Sequence, residues 1–187
     1  MNNSVDKVVT YTIHEVAPYI NWIYFFHAWG FQPKEKERAK AAEAMQLFKE
    51  ANRMLNQLDK NYHVHTIFRL CEANADGDNL ILDGKLFPLC LSDFVRPLSS
   101  GIPDTVGIFA ASCDGEVELL YENDPYKRML VQTLADRLAE AATEKMHEHI
   151  RKVAWGYAKD ENLSIPDLLR EKFQGIRPAV GYPSLPD

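Results

Sequence analysis

Apolar residues recur at helical spacing along much of the chain. Over residues 35–58 they return every three or four positions with charged residues between them, a pattern typical of an amphipathic helix. Residues 14–29 are apolar on most sides, which predicts a helix buried in the core that ends at Gly30 and Pro33. A second long amphipathic helix is predicted from residue 126 to about residue 153.

The middle of the chain carries the pattern of β-strands. Four short apolar runs are bounded by Gly, Pro, Asp and Asn, which predicts strands. They lie at residues 63–70, 79–82, 85–89 and 106–111. The dipeptide Asp83-Gly84 predicts a two-residue hairpin turn, because both positions of a type I′ turn take positive φ. The sheet is therefore expected to be at least partly antiparallel.

The C-terminal region is predicted to hold a short helix and then an extended segment. Ser164 as N-cap, with Asp167 at the capping-box position, predicts a helix over residues 165–173. Three prolines in the last twelve residues predict that residues 176–187 are extended, because proline does not continue a helix. An extended segment does not hydrogen-bond to itself, so its backbone groups are available to line the edge of a planar base.

Length and composition are those of one globular domain. A chain of 187 residues is long enough to bury a sizeable core, and 46% hydrophobic with 26% charged residues excludes low-complexity and disordered chains. The net charge is −6, and residues 97–126 contain six acidic residues and no Lys or Arg. A non-specific nucleic-acid binder would need the opposite sign, so the acidic stretch is interpreted as a docking face or a solubility feature.

The cysteines, the first residues and the histidines predict a cytoplasmic protein without a metal site. Cys71, Cys90 and Cys113 include no C-x-x-C pair, which argues against a disulfide framework and structural zinc. The first residues lack the basic start of a secretory signal, and the most apolar stretch is too short to span a membrane. His63 and His65 share one face of a predicted strand, but no second pair of ligands accompanies them.

The segment around Arg177 is the most ligand-like feature of the sequence. Arg177 offers a planar fork for a carboxylate or phosphate, Gly181 permits close approach, and Tyr182 offers a ring face. The alternative is a surface tail laid over the sheet with Arg177 in a structural ion pair, which spacing alone favours.

A stripe of acidic residues lies on the helix predicted at residues 126–153. Asp136, Glu140 and Glu144 follow one another at a spacing of four, with His147 three residues later. Such a stripe is usually a solvated face, and its functional interpretation is a receptor for an amine or a sulfonium. No Ser-His-Asp arrangement and no nucleotide-binding glycine motif is present, so no catalytic side chain is predicted.

Six blocks of sequence point to a family. They are YINW at 19–22 with FF at 25–26, LFKEAN at 47–52, CLSDFV at 90–95, ADRLAE at 135–140, WGYA at 155–158 with ENL at 161–163, and GIRPAVGYP at 175–183. In this order they resemble the C-terminal reactivation domain of cobalamin-dependent methionine synthase.

The resemblance implies an α+β fold with a curved antiparallel β-sheet and flanking long helices. It implies one domain over residues 1–187, in which 1–18 form an N-terminal lead-in and 176–187 a ligand-binding strip. It also implies that the domain binds S-adenosylmethionine and supports reductive methylation of cob(II)alamin, with an electron from flavodoxin or a similar donor.

The resemblance also assigns ligand contacts. The family's R-x-x-x-G-Y motif falls on Arg177, Gly181 and Tyr182, and its adenosine-contacting alanine falls on Ala179. The acid on its long helix falls on Glu140. Arg177 would then take the methionine carboxylate, Glu140 the cationic end of the ligand, and the strip the adenosine.

Two departures from the family bear on the ligand. The family usually has Asp where this chain has Asn21, and an amide loses the charge-assisted part of a hydrogen bond, on the order of 1 kcal/mol. The family also continues past the R-x-x-x-G-Y motif into further strands, whereas the 187 residues end soon after it. The two interpretations are a truncated fragment and a reduced relative that closes its sheet without those strands.

The sequence thus predicts a reactivation domain within a methyltransferase system. It would act in trans on a cobalamin-binding domain of a methionine synthase, which holds the cobalamin, and would need no side-chain acid or base because reduced cobalt is the nucleophile. Neither nucleic acid nor a membrane is an expected partner. The alternatives are a non-catalytic S-adenosylmethionine-binding or docking module, and a reactivator of another corrinoid methyltransferase.

Overall fold

A computed structural model of the chain describes residues 7–31, 38–87, 91–181 and Leu185. The described residues fall into two compact units. Unit 1 contains Lys7, Phe68–Phe109 and the described residues from Gln174 onward, and unit 2 contains Val8–Ile67 and Ala110–Phe173.

Strands and helices alternate in groups along the chain. The strands are β1 (Lys7–Thr12), β2 (His63–Asp76), β3 (Asn79–Leu82), β4 (Lys85–Phe87) and β5 (Asp104–Cys113). The α-helices are α1 (Ile13–Val16), α2 (Trp22–Ala28), α3 (Arg38–Leu58), α4 (Pro125–His149) and α5 (Ile165–Leu168). Short 3-10 turns lie at Ala17–Tyr19, Ser92–Phe94, Leu98–Ser100 and Gly115–Leu119, and a π-helical turn at Ile150–Ala154 follows α4.

The strands form one sheet within the described residues. Its order is β1-β2-β3-β4, and β5 pairs with β2. Strand β3 is antiparallel to both neighbours, with Ala73 opposite Leu82 on one side and Leu82 opposite Lys85 on the other. The α+β class, an antiparallel sheet with flanking helices, is confirmed.

The predicted hairpin turn between β3 and β4 is confirmed. Asp83 has φ of +48° and Gly84 has φ of +78°, so both take the positive values that a type I′ turn needs. The predicted strand at residues 85–89 begins as expected, and its last two residues lie outside the described part of the chain.

The prediction of one helix over residues 14–29 is wrong. Helix α1 stops at Val16, a 3-10 turn follows, and α2 starts only at Trp22. Pro18 lies at the start of the 3-10 turn, where it lacks the N–H that would continue the helical hydrogen bonds. The apolar periodicity continues through this break, because both short helices face the same core.

The short C-terminal helix is also shorter than predicted. Ser164 caps it as expected, accepting a hydrogen bond from the N–H of Asp167 at 3.3 Å. Helix α5 nevertheless ends at Leu168, and Glu171 has φ of +57°. A residue with positive φ does not continue a right-handed helix, so the predicted span to residue 173 is wrong.

Helix α4 is the central element of unit 2, and it packs against α1, α2 and α3. Its predicted apolar side is buried from Leu130 to Ile150, whereas Val153, predicted to share that side, is 66% exposed. Val153 lies in the π-helical turn, where the wider winding rotates side chains away from the α-helical stripe.

Each unit has its own apolar core. The core of unit 1 is small and consists of Cys71, Ala73, Leu80 and Leu82, with Val95 and Val106 packed against it. The core of unit 2 is larger and includes Ile13, Val16, Phe25, Leu58, Val64, Leu134, Leu138 and Ala142. None of the helices in the described ranges is long and apolar enough to cross a membrane.

Candidate functional site

The predicted ligand-binding residues lie in both units. Arg177, Ala179 and Gly181 belong to unit 1, whereas Asn21 and Glu140 belong to unit 2. Tyr182 lies outside the described residues.

The strip that carries Arg177 has neither helix nor strand over residues 176–179. Gly181 then has φ of +91°, and its N–H donates to the carbonyl oxygen of Leu185 at 2.8 Å. The expectation that the strip does not hydrogen-bond to itself is therefore wrong at this residue. A Cβ at Gly181 would meet no atom within 4 Å, so the backbone conformation, and not lack of space, requires glycine there.

Arg177 is half-buried, while Ala179 and Gly181 are exposed. The Nη1 atom of Arg177 is buried, and the guanidinium is a planar cation with a fixed fork of N–H donors. A partly dehydrated guanidinium fork suits an anionic group with two oxygens in one plane, such as a carboxylate.

Asn21 has a structural role in unit 2. It is the N-cap of α2, and its Oδ1 accepts a hydrogen bond from the N–H of Ile23 at 3.2 Å. This satisfies one of the N–H groups that a helix start leaves unpaired. The side chain is thereby fixed at the first turn of α2.

Glu140 forms a bidentate ion pair that the sequence analysis did not foresee. Nη1 of Arg137 donates to its Oε2 at 2.8 Å and Nη2 donates to its Oε1 at 3.0 Å. The guanidinium carbon of Arg137 also lies 6.0 Å from the ring centroid of Tyr24 on α2. The spacing of three residues between the opposite charges was the available signal for this pair.

The acidic stripe is not one solvated face. Asp136 and Glu140 are exposed and Glu144 is half-buried, whereas His147 is buried. Nδ1 of His147 lies 2.8 Å from Nη1 of Arg151. Because arginine only donates, this His147 nitrogen accepts and carries no proton.

A buried ion pair in unit 2 was also not predicted. Arg151 is fully buried, and its Nε donates to Oε2 of Glu161 at 3.0 Å. The ring of Phe173 lies 4.3 Å from the guanidinium carbon of Arg151. The pair links the π-helical turn to the segment that follows the exposed rings of Trp155 and Tyr157. Periodicity gives no signal for it, because the two residues join different elements.

His63 and His65 meet an aspartate at the start of β2. Nε2 of His65 lies 2.7 Å from Oδ1 of Asp114, and the backbone N–H of His63 donates to Oδ2 at 2.7 Å. Oγ1 of Thr10 lies 3.1 Å from the other nitrogen of His65. Across the ranges that the structure describes, no group of three or more His, Cys, Asp or Glu side chains is arranged to hold a metal ion.

The described cysteines behave as apolar side chains. Cys71 is buried in the core of unit 1, and Cys113 is half-buried in unit 2. Burial raises the pKa of the Cys113 thiol to about 11, so the thiol stays protonated at neutral pH. Cys90 lies outside the described residues.

Comparison with known proteins identifies the class of this α+β domain. Residues 12–86 and 83–187 match the family model described as vitamin B12 dependent methionine synthase, activation domain. The chain therefore belongs to the family of activation domains of vitamin B12-dependent methionine synthases.

A solved relative has the same fold. The chain is similar to the structure described as the crystal structure of the MetH reactivation domain bound to AdoHcy, with 35% sequence identity and a TM-score of 0.90. The match covers 99% of this chain and 67% of the relative.

Proposed function

We propose that this protein binds S-adenosylmethionine and supports the reductive methylation of cob(II)alamin held by a separate cobalamin-binding domain. The observation that carries the proposal is its 35% identity to a reactivation domain whose structure contains AdoHcy. AdoHcy is what remains of S-adenosylmethionine after its methyl group has been transferred. Membership of the activation-domain family supplies the link to cobalamin.

In the proposed site, a positive and a negative side chain each bind the part of the ligand that carries the opposite charge. The guanidinium fork of Arg177 would bind the methionine carboxylate, and Glu140 would face the cationic part of the same methionine. The exposed backbone at Ala179 and Gly181 would lie along the adenosine, with the Tyr182 ring nearby. Asn21 would add a neutral hydrogen bond to the ligand.

The chemistry needs positioning more than acid–base groups. One electron from a flavodoxin-like donor would reduce the cobalt of the partner-held cobalamin, and the sulfonium methyl would then pass to that cobalt. The carbon–sulfur bond would break with its electron pair staying on sulfur, the reduced cobalt would supply the electron pair of the new cobalt–carbon bond, and S-adenosylhomocysteine would remain on the protein. No proton moves in this transfer, so the role of the protein is to hold the sulfonium in line with the acceptor.

The organisation of the system is part of the proposal. Residues 1–187 would act as one activation domain in the cytoplasm, and its partner would be a cobalamin-binding domain of a methionine synthase supplied in trans.

Calorimetric titration with S-adenosylmethionine tests the proposed site. We expect Arg177→Ala to weaken binding by about 10- to 150-fold, because a charge-assisted bidentate pair contributes roughly 1.5–3 kcal/mol. Arg170→Ala is the matched control, since Arg170 is exposed and lies in unit 2. Equal affinity of the wild type and the Arg177→Ala variant would sink the assignment of Arg177.

A further inference from the structure

Arg137 neutralises the carboxylate that is proposed to face the ligand. Both oxygens of Glu140 accept from the Arg137 fork, at 2.8 and 3.0 Å. A bidentate pair of this kind fixes the plane of the carboxylate and offsets its charge. The cationic part of a ligand would therefore meet a compensated pair instead of an isolated negative charge.

Packing fixes the arginine of the Arg137–Glu140 ion pair more than it fixes the glutamate. The Arg137 side chain is only 18% exposed, compared with 61% for Glu140, and the guanidinium approaches the Tyr24 ring. The ion pair at the start of the same helix, Lys127 with Asp124, is 52% and 40% exposed. Arg137 is thus packed in place between α4 and α2, while the carboxylate of Glu140 stays open to solvent on its other side.

The two ligands of a methyl-transferring site differ by one charge. S-adenosylmethionine carries a sulfonium, and S-adenosylhomocysteine carries a neutral thioether in its place, whereas both share the ammonium and the carboxylate. Charges in one amino-acid moiety lie within the Debye length of about 8 Å at physiological salt. The net charge at Glu140 therefore changes the affinity for S-adenosylmethionine more than the affinity for S-adenosylhomocysteine.

Resting on the proposed function, we propose that Arg137 is a positioning residue that sets how strongly the site distinguishes S-adenosylmethionine from S-adenosylhomocysteine. An uncompensated carboxylate would favour the sulfonium ligand. With Arg137 in place this preference is reduced, so occupancy by S-adenosylmethionine follows the concentration ratio of the two compounds. Reactivation would then respond to how much methyl donor has been spent.

The test measures the affinity ratio of the two ligands by calorimetry. Arg137→Met removes the charge and the fork but keeps an unbranched apolar stem, and we expect it to raise the preference for S-adenosylmethionine by about two- to fivefold, the range of partly exposed ion pairs. Glu140→Gln should lower the preference by a similar factor. The double variant restores a net charge of zero at the pair, so its ratio should return to that of the wild type.

The ratio of the two affinities reports the effect of charge separately from effects on folding and on side-chain ordering. Both of those effects change the two affinities equally, and they cancel in the ratio. Arg128→Met is the matched control, because Arg128 is exposed on the same helix and lies nine residues before Arg137, half a turn round the axis. Its ratio should equal that of the wild type.

Two results would overturn the proposal. An unchanged ratio in Arg137→Met, with wild-type binding intact, would reject the role of Arg137 and leave the proposed function standing. Failure of the wild type to bind either ligand would instead reject the proposed function and this inference with it.

Discussion

Asn21 combines a helix cap with a proposed ligand contact. Its side chain already accepts from the N–H of Ile23 at the start of α2. A carboxylate in the same place would keep that hydrogen bond and add a negative charge at a helix N-terminus, where the helix dipole favours it. The structural role therefore does not explain why this chain carries an amide.

We expect Asn21→Asp to strengthen S-adenosylmethionine binding by about fivefold, because a charge-assisted hydrogen bond adds on the order of 1 kcal/mol. Its thermal stability should not fall. Asn21→Ala serves as the contrasting variant, and loss of the cap should cost about 1 kcal/mol of unfolding free energy. Calorimetry and thermal melts measure the two effects, and equal or weaker binding by Asn21→Asp would place Asn21 away from the ligand.

Asp114 joins the end of β5 to the start of β2 in unit 2. Burial raises the pKa of Asp114, but hydrogen bonds from the His63 amide and the His65 ring lower it more, and the net pKa lies below its usual range. A carboxylate with a depressed pKa stabilises the folded state fully above its unfolded pKa of about 3.9. That contribution is lost as the pH falls through the lower folded value.

We expect Asp114→Asn to be less stable than the wild type at pH 7 by about 1–3 kcal/mol, because charge-assisted bonds are lost. Its stability should also fall less than that of the wild type between pH 5 and pH 2. Urea denaturation over this pH range measures both effects, with Asp160→Asn as an exposed control. Parallel pH profiles for Asp114→Asn and the wild type would show that Asp114 does not titrate with folding.

At the scale of elements, the sequence predicted the hairpin turn correctly but misplaced the ends of two helices. Asp83-Gly84 specified its hairpin because turn conformation depends on the two residues themselves. The break at Pro18 was missed because the apolar pattern runs through it. Helix α5 was predicted too long because no local signal marks the positive φ of Glu171, which keeps a right-handed helix from reaching residue 173.

The π-helical turn after α4 depends on a contact that no local pattern encodes. Arg151 lies in this turn and is fully buried, and its partner Glu161 is ten residues further along the chain. The N–H of Trp155 donates to the carbonyl oxygen of Ile150 at 2.9 Å, which closes the wide turn. The ion pair and the turn together fix the segment that presents the Trp155 and Tyr157 rings.

We expect Arg151→Met to lower the unfolding free energy by about 3–5 kcal/mol, because it leaves the buried carboxylate of Glu161 without its counter-charge. Lys152→Met is the neighbouring control, since its pair with Glu148 is partly exposed and contributes less than about 1 kcal/mol. Chemical denaturation compares the two. If both substitutions cost the same small amount, the pair does not stabilise this part of unit 2.

At the scale of the whole molecule, part of the acidic excess has a structural use. Asp114 binds His63 and His65, and Asp124 caps α4 by accepting from the N–H of Lys127. The exposed carboxylates that remain lie in the 3-10 turn at Gly115–Leu119 and just after it, and they are Glu116, Glu118 and Glu122. The acidic docking face predicted at residues 97–126 therefore has fewer exposed carboxylates than the six acidic residues of that stretch indicate.

The candidate site was predictable mainly through the family resemblance. The R-x-x-x-G-Y motif singled out Arg177 and Gly181, and the positive φ of Gly181 agrees with a glycine at that position. Arg137 was missed because its role depends on the packing of α4 against α2 beside Tyr24. A sequence motif names residues that touch a ligand more readily than residues that set the charge of a neighbour.

The most direct test of the central claim is transfer of a labelled methyl group. The protein is mixed with a cobalamin-binding domain loaded with cob(II)alamin, a reductant and methyl-labelled S-adenosylmethionine, and label on cobalt is measured. We predict labelled methylcobalamin that depends on the reductant and decreases strongly with Arg177→Ala. Binding of S-adenosylmethionine without any label on cobalt would contradict the proposed reactivation and leave a non-catalytic binding module.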